Sequence, residues 1–316
     1  MRIGIIGCGT IAATYFQSLE RLTGLYEVTA LYDILPEKSR AYAFSEKMIC
    51  GSVGELASRA DVDCVVISTP AHTHCAIAEQ CLRRKKHVLM EKPAAMRLSE
   101  IRKLYDLAQE MGVVFHVAFH SSFGIDIDWY LETLGRADSP YNIGNIRQAE
   151  CRFYDPYIID GVMLEDRKAL GGSYIDSGVN ILSVCSRLVP LEGFRLCSHD
   201  AKKVPDGVVY ASETVFAHRD VRLVLHTGWD KGMNHKSTLL CFHGTDHMIL
   251  LDHTGQAVWQ ITPKGEKQLL FLENRTSRMV NQYVRVFRVF AEVVASGSQG
   301  EYQRQAMQVH RLLLCV

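Results

Sequence analysis

A glycine-rich turn near the start of the sequence separates an apolar run from a helical pattern. Residues Arg2–Ile6 form the apolar run, the G-x-G-x-x-A motif Gly7–Ala12 follows, and apolar residues then recur at helical spacing up to Leu22. A strand, a glycine turn and a helix start are the context in which this motif holds a dinucleotide. The first glycine permits the turn, the second lets the backbone approach a pyrophosphate, and the helix N-terminus favours the anion. The predicted cofactor contacts here are Gly7, Gly9, Thr10 and Ile11.

An acidic residue ends the next predicted strand. Glu27–Tyr32 reads as a strand, and Asp33 follows it at the distance from the glycines that is typical of a ribose-binding carboxylate. Such a carboxylate accepts both ribose hydroxyls and repels a 2′-phosphate. The sequence therefore predicts NAD rather than NADP, although a turn or capping role for Asp33 is the plain alternative.

The pattern of alternating strands and helices continues to about residue 120. Apolar strand-like runs alternate with helical segments of 10–15 residues, which predicts a parallel, doubly wound sheet. Ligands bind such sheets at the carboxyl ends of the strands. The residues at predicted strand ends are Gly7, Asp33, Thr69, Lys92 and His120.

Composition narrows the possible partners. Lys plus Arg number 35, and Asp plus Glu also number 35, so the formal net charge is zero and does not indicate a nucleic-acid partner. No apolar run is long enough to cross a bilayer. The N-terminus lacks the pattern of a signal peptide. The 10 cysteines are scattered without a C-x-x-C motif, which favours reduced thiols and a cytoplasmic protein.

Two histidine pairs raise the question of a metal. His72 and His74 are two residues apart, and His116 and His120 are four apart. Neither pair has a cysteine or carboxylate at ligand spacing, so we expect no metal site.

The second half contains another glycine motif. In Gly171–Asn180 a glycine pair leads into a helical segment that carries Asp176 and Asn180 four residues apart, on one helical face. A carboxylate and an amide at this spacing could grip one small polar ligand.

Together these motifs resemble the Gfo/Idh/MocA oxidoreductases, a family that includes glucose–fructose oxidoreductase and inositol dehydrogenase. The residues that carry the resemblance are Gly7–Ala12, Asp33, Ser68-Thr69-Pro70 with His74, Glu91-Lys92-Pro93, and Gly171–Asn180. They span both halves of the chain in the family's order, and Glu-Lys-Pro is the most specific of them.

The resemblance implies an α/β fold with two domains. Residues 1–121 would form an NAD-binding Rossmann domain with a doubly wound parallel sheet. Residues 122–316 would form a substrate-binding and oligomerisation domain on a large, mostly antiparallel open sheet. Further cofactor contacts are expected at Ser68, Thr69, Pro70, His74, Glu91 and Lys92. The substrate would be a sugar, a cyclitol or another small polyhydroxy molecule.

The second-half pattern agrees with this expectation. Ile146–Tyr154 reads as a strand, Tyr174–Leu188 as a helix, and strand segments from Val208 onward read as an antiparallel meander. One sheet face should pack on helices and leave the other for a partner, so we expect a homodimer or homotetramer formed through this sheet.

The proposed chemistry centres on Lys92, which the resemblance equates with the family's active-site lysine, with Asp176 orienting it or the substrate. The family often has a histidine where this sequence has Asn180, and an amide does not titrate. Lys92 could transfer the proton alone, or a substitute could be His120, Tyr154, Tyr157 or Tyr174. Loss of catalysis with retained binding is the third reading.

Three functions follow from these readings. The first is an NAD-dependent dehydrogenase or reductase acting on a hydroxyl or ketone. The second is a catalytically silent regulator that binds NAD and a sugar. The third is an NAD-dependent glycosidase, which recycles its hydride within one cycle and accumulates no NADH.

Overall fold

The computed structural model describes residues 1–139 and 142–316. Contacts between Cα atoms divide the chain into two compact units. Unit 1 comprises Met1–Phe119 and Tyr283–His310, and unit 2 comprises His120–Gln282 and Arg311–Val316. The return of Tyr283–His310 to unit 1 was not foreseen from the sequence. The assignment of cofactor binding to 1–121 and of substrate binding to 122–316 stays a prediction.

Unit 1 is built on a five-stranded parallel sheet with the order β2-β1-β3-β4-β5. Its strands are β1 (Arg2–Ile6), β2 (Glu27–Tyr32), β3 (Cys64–Ile67), β4 (His87–Glu91) and β5 (Phe115–Ala118). Almost every side chain of β1, β3 and β4 is buried, because helices cover both faces of the sheet. The predicted doubly wound parallel sheet is confirmed.

The helices that follow these strands begin and end at recognisable signals. Ser52 caps α3 through the backbone N–H of Glu55, and Gly112 ends α5 with a left-handed backbone at φ +68°. The helices are α1 (Ala12–Glu20), α2 (Pro36–Arg40), α3 (Val53–Ser58), α4 (His74–Arg83) and α5 (Leu98–Met111).

Unit 2 is built on an eight-stranded open sheet with the order β15-β14-β13-β12-β6-β11-β10-β9. The strands are β6 (Ile146–Tyr154), β9 (Arg195–Lys203), β10 (Val209–His218), β11 (Val221–Gly228), β12 (His235–Phe242), β13 (Met248–Asp252), β14 (Ala257–Ile261) and β15 (Lys267–Leu272). A separate hairpin pairs β7 (Ile158–Ile159) with β8 (Val162–Met163). Helices α6 (Ile125–Thr133), α7 (Glu165–Lys168) and α8 (Ser173–Leu188) also belong to unit 2, and α8 packs on β6, β10 and β11.

The sheet departs from a simple meander at one strand, and it contains one strand that the sequence did not predict. Strand β6 lies between β11 and β12 and runs parallel to β11. Strands β11 and β12, which follow one another in the sequence, are therefore not neighbours in the sheet. Strand β9 was not predicted, because its side chains are mostly exposed on both faces and show no alternation. The mostly antiparallel character of the sheet is nevertheless confirmed.

Two helices follow the second sheet, α9 (Arg278–Ser296) and α10 (Gly300–Leu313). Within unit 1, the phenol of Tyr26 donates to the carbonyl oxygen of Phe287 at 2.7 Å, and the backbone N–H of Phe115 donates to Oε1 of Gln299 at 3.1 Å. These bonds fix Tyr283–His310 to the parallel sheet. Among the described residues, no helix combines the length and apolar character that a membrane crossing requires.

Candidate functional site

The glycine turn has the geometry that a dinucleotide needs. Gly7 has φ +95°, and a Cβ there would lie 2.8 Å from the carbonyl group of Ser68, so no other residue fits. A Cβ on Gly9 would meet no atom within 4 Å. The space beside Gly9 is therefore open at the start of α1, whose N-terminus has no side-chain cap. These features fit a pyrophosphate held by backbone N–H groups.

Asp33 lies beside this turn at the end of β2. Its Oδ2 accepts the backbone N–H of Cys8 at 2.8 Å, and its Oδ1 accepts that of Leu35 at 2.9 Å. The carboxylate is thereby fixed next to the glycine motif, 25 residues away in sequence. Ile34, the next residue, is 83% exposed and offers an apolar surface beside the carboxylate.

Hydrogen bonds hold the segment after β3 at the same edge of the parallel sheet. The Ser68 hydroxyl donates to the carbonyl oxygen of Gly7 at 2.8 Å. The His74 ring contacts two carbonyl oxygens, those of Thr69 at 2.8 Å and Pro93 at 2.9 Å, and so links the segments after β3 and β4. Burial lowers the pKa of His74, which keeps the ring neutral near neutral pH. His74 thus shapes this edge of the sheet.

Glu91 and Lys92 end β4 at the same edge. Glu91 is buried, and its Oε1 accepts the phenols of Tyr15 and Tyr283, each at 2.6 Å. Lys92 is half-buried. Sequence reasoning missed both tyrosines. Helical spacing places Tyr15 on the buried face of α1, and this position could have indicated that its side chain points inward. Tyr283 lies on α9, and no local motif marks it.

In unit 2, the structure places Asp176 and Asn180 on the buried side of α8. The helix begins after Gly172, where φ is +96° and a Cβ would lie 2.8 Å from the carbonyl oxygen of Val209. Asn180 donates its Nδ2–H to the backbone oxygen of Asp176 at 3.1 Å. Its Oδ1 is buried without a hydrogen-bond partner among the described residues. A buried acceptor without a partner is what a ligand hydroxyl would satisfy.

A buried ion pair accompanies these residues and was also missed. Lys236 Nζ lies 2.7 Å from Oδ1 of Asp155, and Asn234 Nδ2 donates to the same oxygen at 3.4 Å. Ser177, next to Asp176 on α8, donates to the other oxygen of Asp155 at 3.4 Å. Burial lowers the pKa of Lys236, and the charges of Asp155 and Asp176 oppose that effect. Only the three-dimensional fold brings these residues together, because Asp155 follows β6, Ser177 lies on α8 and Lys236 lies on β12.

The other candidates for proton transfer differ in their burial and in the residues that they contact. His120 is buried, with Nδ1 3.1 Å from Oε1 of Gln282. Tyr174 donates to the carbonyl oxygen of Leu312 at 3.4 Å, and burial raises its pKa, which disfavours an acid–base role near neutral pH. The Tyr157 ring packs on Trp229 and Arg167, and the Tyr154 ring lies near His235.

The histidines that raised the question of a metal can be compared with the ligand groups that an ion needs. Within residues 1–139 and 142–316, no group of three or more His, Cys, Asp or Glu side chains could hold an ion. His116 is buried with Nδ1 unpartnered, and burial lowers its pKa to about 4.

Unit 1 therefore has the fold and the glycine turn that are typical of a dinucleotide-binding Rossmann domain, and unit 2 has a group of buried polar side chains around α8. Residues 1–119 match GFO_IDH_MocA, the oxidoreductase family with an NAD-binding Rossmann fold. This segment belongs to that family, and the resemblance predicted from the sequence is confirmed.

Curated relatives match part of the chain. The dTDP-3,4-didehydro-2,6-dideoxy-alpha-D-glucose 3-reductase of Streptomyces violaceoruber is 32% identical over 199 residues, covering 61% of this chain and 55% of the relative. The 1,5-anhydro-D-fructose reductase of Ensifer adhaerens is 37% identical over 121 residues, covering 38% and 36%. The chain thus spans about half the length of the first relative and about a third of the second.

A solved structure extends the similarity of the fold to the whole chain. The structure of a 3-ketoreductase from Actinomadura kijaniata in complex with TDP-benzene and NADP has a TM-score of 0.81 at 22% identity. The match covers 100% of this chain and 96% of that one. At this identity the likeness concerns the fold alone, and it includes both sheets.

Proposed function

We propose that this protein is an NAD(H)-dependent oxidoreductase that acts on a hydroxyl or ketone of a sugar, a cyclitol or a related polyhydroxy molecule. One observation carries the proposal. The carboxyl ends of four neighbouring parallel strands bring Gly7, Asp33, Ser68 and Lys92 to one edge of the sheet in unit 1. A dinucleotide site and an ionisable amine at one edge are what hydride transfer with proton transfer requires.

In this proposal the chain's residues position the substrate and move the proton. A bound nicotinamide supplies or accepts the hydride. When the substrate is oxidised, its C–H bond gives up the hydride, and the neutral Lys92 amine takes the hydroxyl proton as the C=O bond forms. In the reverse direction the Lys92 ammonium returns that proton to the carbonyl oxygen. Asp176 and Asn180 stay candidates for contacts with hydroxyl groups of a polyhydroxy ligand.

The choice of NAD over NADP is part of the proposal. The Asp33 carboxylate is held by two backbone N–H groups, so it cannot easily turn away from a ribose. A 2′-phosphate beside this fixed negative charge would be repelled. The Actinomadura kijaniata ketoreductase was solved with NADP. Titration of this protein with both cofactors tests the proposed preference for NAD.

Location and assembly are also proposed. All ten cysteines are unpaired, which supports a reducing cytoplasm. Edge strands β9 and β15 carry the exposed apolar side chains of Leu196, Leu269 and Leu272, which supports a homodimer or homotetramer through this sheet. Light scattering on a sizing column tests the assembly, and a monomer at every concentration would refute it.

The activity is tested with a matched pair of lysine variants. Cofactor fluorescence gives the affinity for NAD, and a screen of polyols, sugar acids and nucleotide sugars is followed by NADH absorbance. We expect Lys92→Met to lower turnover by about 10²–10⁴-fold with little change in NAD affinity. The exposed Lys264→Met serves as the control. Full turnover in Lys92→Met would refute the role of Lys92.

A silent NAD- and sugar-binding regulator is the second candidate, because Asn180 cannot titrate and yet leaves a buried acceptor for a ligand. It predicts NAD binding and no turnover anywhere in the screen. Product release without net NADH would instead indicate an NAD-dependent glycosidase.

A further inference from the structure

The turn that follows Lys92 is held from two sides by histidine side chains. The backbone N–H of Ala94 donates to Nε2 of His310 at 3.0 Å, across 216 residues of sequence. Nδ1 of His74 lies 2.9 Å from the carbonyl oxygen of Pro93. His310 lies on α10 and His74 on α4, and both rings are buried. Two helices that are distant in sequence therefore fix the two residues after the lysine of the proposed chemistry.

Lys92 is the exception in a buried stretch of the backbone. In residues 88–95 every residue is buried except Lys92, which is half-buried. Pro93 has no backbone N–H, so the Ala94 amide is the first donor after the lysine. A buried backbone N–H needs an acceptor, and His310 supplies it. The backbone on both sides of Lys92 is therefore enclosed, while part of Lys92 itself stays accessible.

The hydrogen bonds of His310 define its protonation. A backbone N–H can only donate, so Nε2 accepts the Ala94 N–H and carries no proton. Nδ1 lies 2.8 Å from the carbonyl oxygen of Ala306, which can only accept, so Nδ1 carries the proton. Burial lowers the pKa of His310 to about 4, which agrees with a neutral ring near neutral pH. His310 is thus a neutral imidazole with one nitrogen that serves as the acceptor for this turn.

We propose that His310 is a positioning residue for Lys92. Its Nε2 holds the Ala94 amide, and the backbone transmits this constraint through Pro93 to the lysine. The inference rests on the proposed function, because it matters for turnover only if Lys92 moves the proton. Both nitrogens of His310 are engaged by the backbone, so the ring itself transfers no proton. A displacement of about 1 Å in a reacting group can lower a rate by about 10²-fold, so the loss of this hydrogen bond should be measurable in kcat.

His116 provides the comparison for a histidine that only fills the core. It lies on β5, it is buried in unit 1, and burial lowers its pKa to about 4 as well. Its ring packs near Phe290 of α9 and Tyr302 of α10. His116→Leu therefore removes a buried imidazole and leaves the acceptor for Ala94 in place, which makes it the matched control.

The direct test compares two residues of similar size at position 310. Gln can accept a hydrogen bond from the Ala94 amide, whereas Leu cannot. Hydrogen exchange at the Ala94 amide is followed by NMR in the full-length protein. We expect exchange to be about tenfold faster or more in His310→Leu, and close to the wild type in His310→Gln and in His116→Leu. An exchange rate in His310→Leu equal to that of the wild type overturns the inference.

A second variant covers the case in which His310→Leu does not fold. The amide of His310→Asn is too short to reach Ala94, and we expect the same faster exchange as in the leucine variant. Circular dichroism confirms that each variant used is folded.

Kinetics show whether the turn positions Lys92. We expect kcat to fall by about 10–10²-fold in His310→Leu, while the Kd for NAD changes by less than about twofold because the glycine turn is untouched. His310→Gln should recover most of kcat, and His116→Leu should keep it. The pH midpoint of kcat should stay in place, because His310 transfers no proton. Faster exchange at Ala94 with an unchanged kcat overturns the positioning role.

Lys92→Met separates this result from the proposed function. Full turnover in Lys92→Met would refute proton transfer by Lys92, while exchange at Ala94 would still report whether His310 holds the turn. A large loss of turnover in Lys92→Met together with an unchanged kcat in His310→Leu would refute the positioning role alone.

Discussion

Lys236 Nζ lies 2.7 Å from a carboxylate oxygen of Asp155, and both side chains are about nine-tenths buried. Two charges removed from water at this distance depend on one another, because either of them alone would lose its hydration without compensation. The pair lies in unit 2, and Ser177 connects it to the helix that carries Asp176.

Breaking this pair should destabilise the protein strongly. We expect Lys236→Met to lower the free energy of unfolding by about 3–5 kcal/mol, because Asp155 would remain buried and charged. Replacing both residues by Met and Leu should recover much of the loss. Urea unfolding measures each value. Lys103→Met, which breaks an exposed pair with Glu79, should cause no measurable loss. A loss in Lys236→Met no larger than in this control would show that the pair contributes little.

The two glycines of the first turn should respond differently to alanine. Gly7→Ala places a Cβ 2.8 Å from the Ser68 carbonyl at positive φ, and we expect a loss of at least about 1–3 kcal/mol in stability. Gly9→Ala meets no atom, so its stability should change by less than about 1 kcal/mol. Its Kd for NAD should nevertheless rise by about tenfold or more, since the methyl group fills the open space. Tight NAD binding by Gly9→Ala would place the pyrophosphate elsewhere.

The preference between the two cofactors should depend on one charge. We expect Asp33→Asn to reduce the ratio of NAD to NADP affinity by about tenfold, or ~1.4 kcal/mol, because the repulsion of a 2′-phosphate is removed. The amide keeps the shape and an acceptor for the Cys8 N–H. Fluorescence titration with both cofactors measures the ratio, and an unchanged ratio would assign the ribose contact to another residue.

Asn180 should act in binding rather than in proton transfer. Removing its amide in Asn180→Ala should raise KM for the substrate by about tenfold, which corresponds to a hydrogen bond of ~1.4 kcal/mol. The pH profile of kcat should keep its midpoint, because an amide does not titrate. A displaced midpoint in this variant would connect Asn180 to the proton-transfer step.

Two buried histidines should make the protein sensitive to acid. Burial lowers the pKa of His116 and of His310 to about 4. Since the unfolded value is near ~6.5, the unfolded state binds protons first, and stability should fall as pH drops from about 6.5 to about 4, by up to about 3 kcal/mol per histidine. His116→Phe should flatten this dependence, whereas replacement of the exposed His72 by Gln should leave it unchanged. Urea unfolding at several pH values provides the test.

Much of unit 1 could be predicted from sequence because its signals are local. The glycine turn, Asp33 and the Glu91-Lys92 step each follow directly from a strand, and a parallel sheet brings such positions to one edge. Asp176 and Asn180 were likewise paired by helical spacing alone. Their roles as ligand contacts stay predictions.

Contacts between distant segments carry no such local signal. Tyr283 lies 192 residues from Glu91, and Lys236 lies 81 from Asp155. Periodicity shows which face of an element is buried, but not which residue of another element it meets. The same limit explains β6, whose place between β11 and β12 is set by strand pairing and not by its own pattern.

The discontinuity of unit 1 has a consequence for how the protein is made. Its parallel sheet leaves the ribosome more than 160 residues before Tyr283, the second donor to Glu91. During synthesis, unit 1 therefore cannot be completed until Tyr283–His310 has also been made. A protease that cuts inside residues 120–282 would leave two fragments of unit 1 still held to one another by packing. Isolating residues 1–121 would instead remove the segment Tyr283–His310, which supplies Tyr283, Phe287 and Gln299 to unit 1.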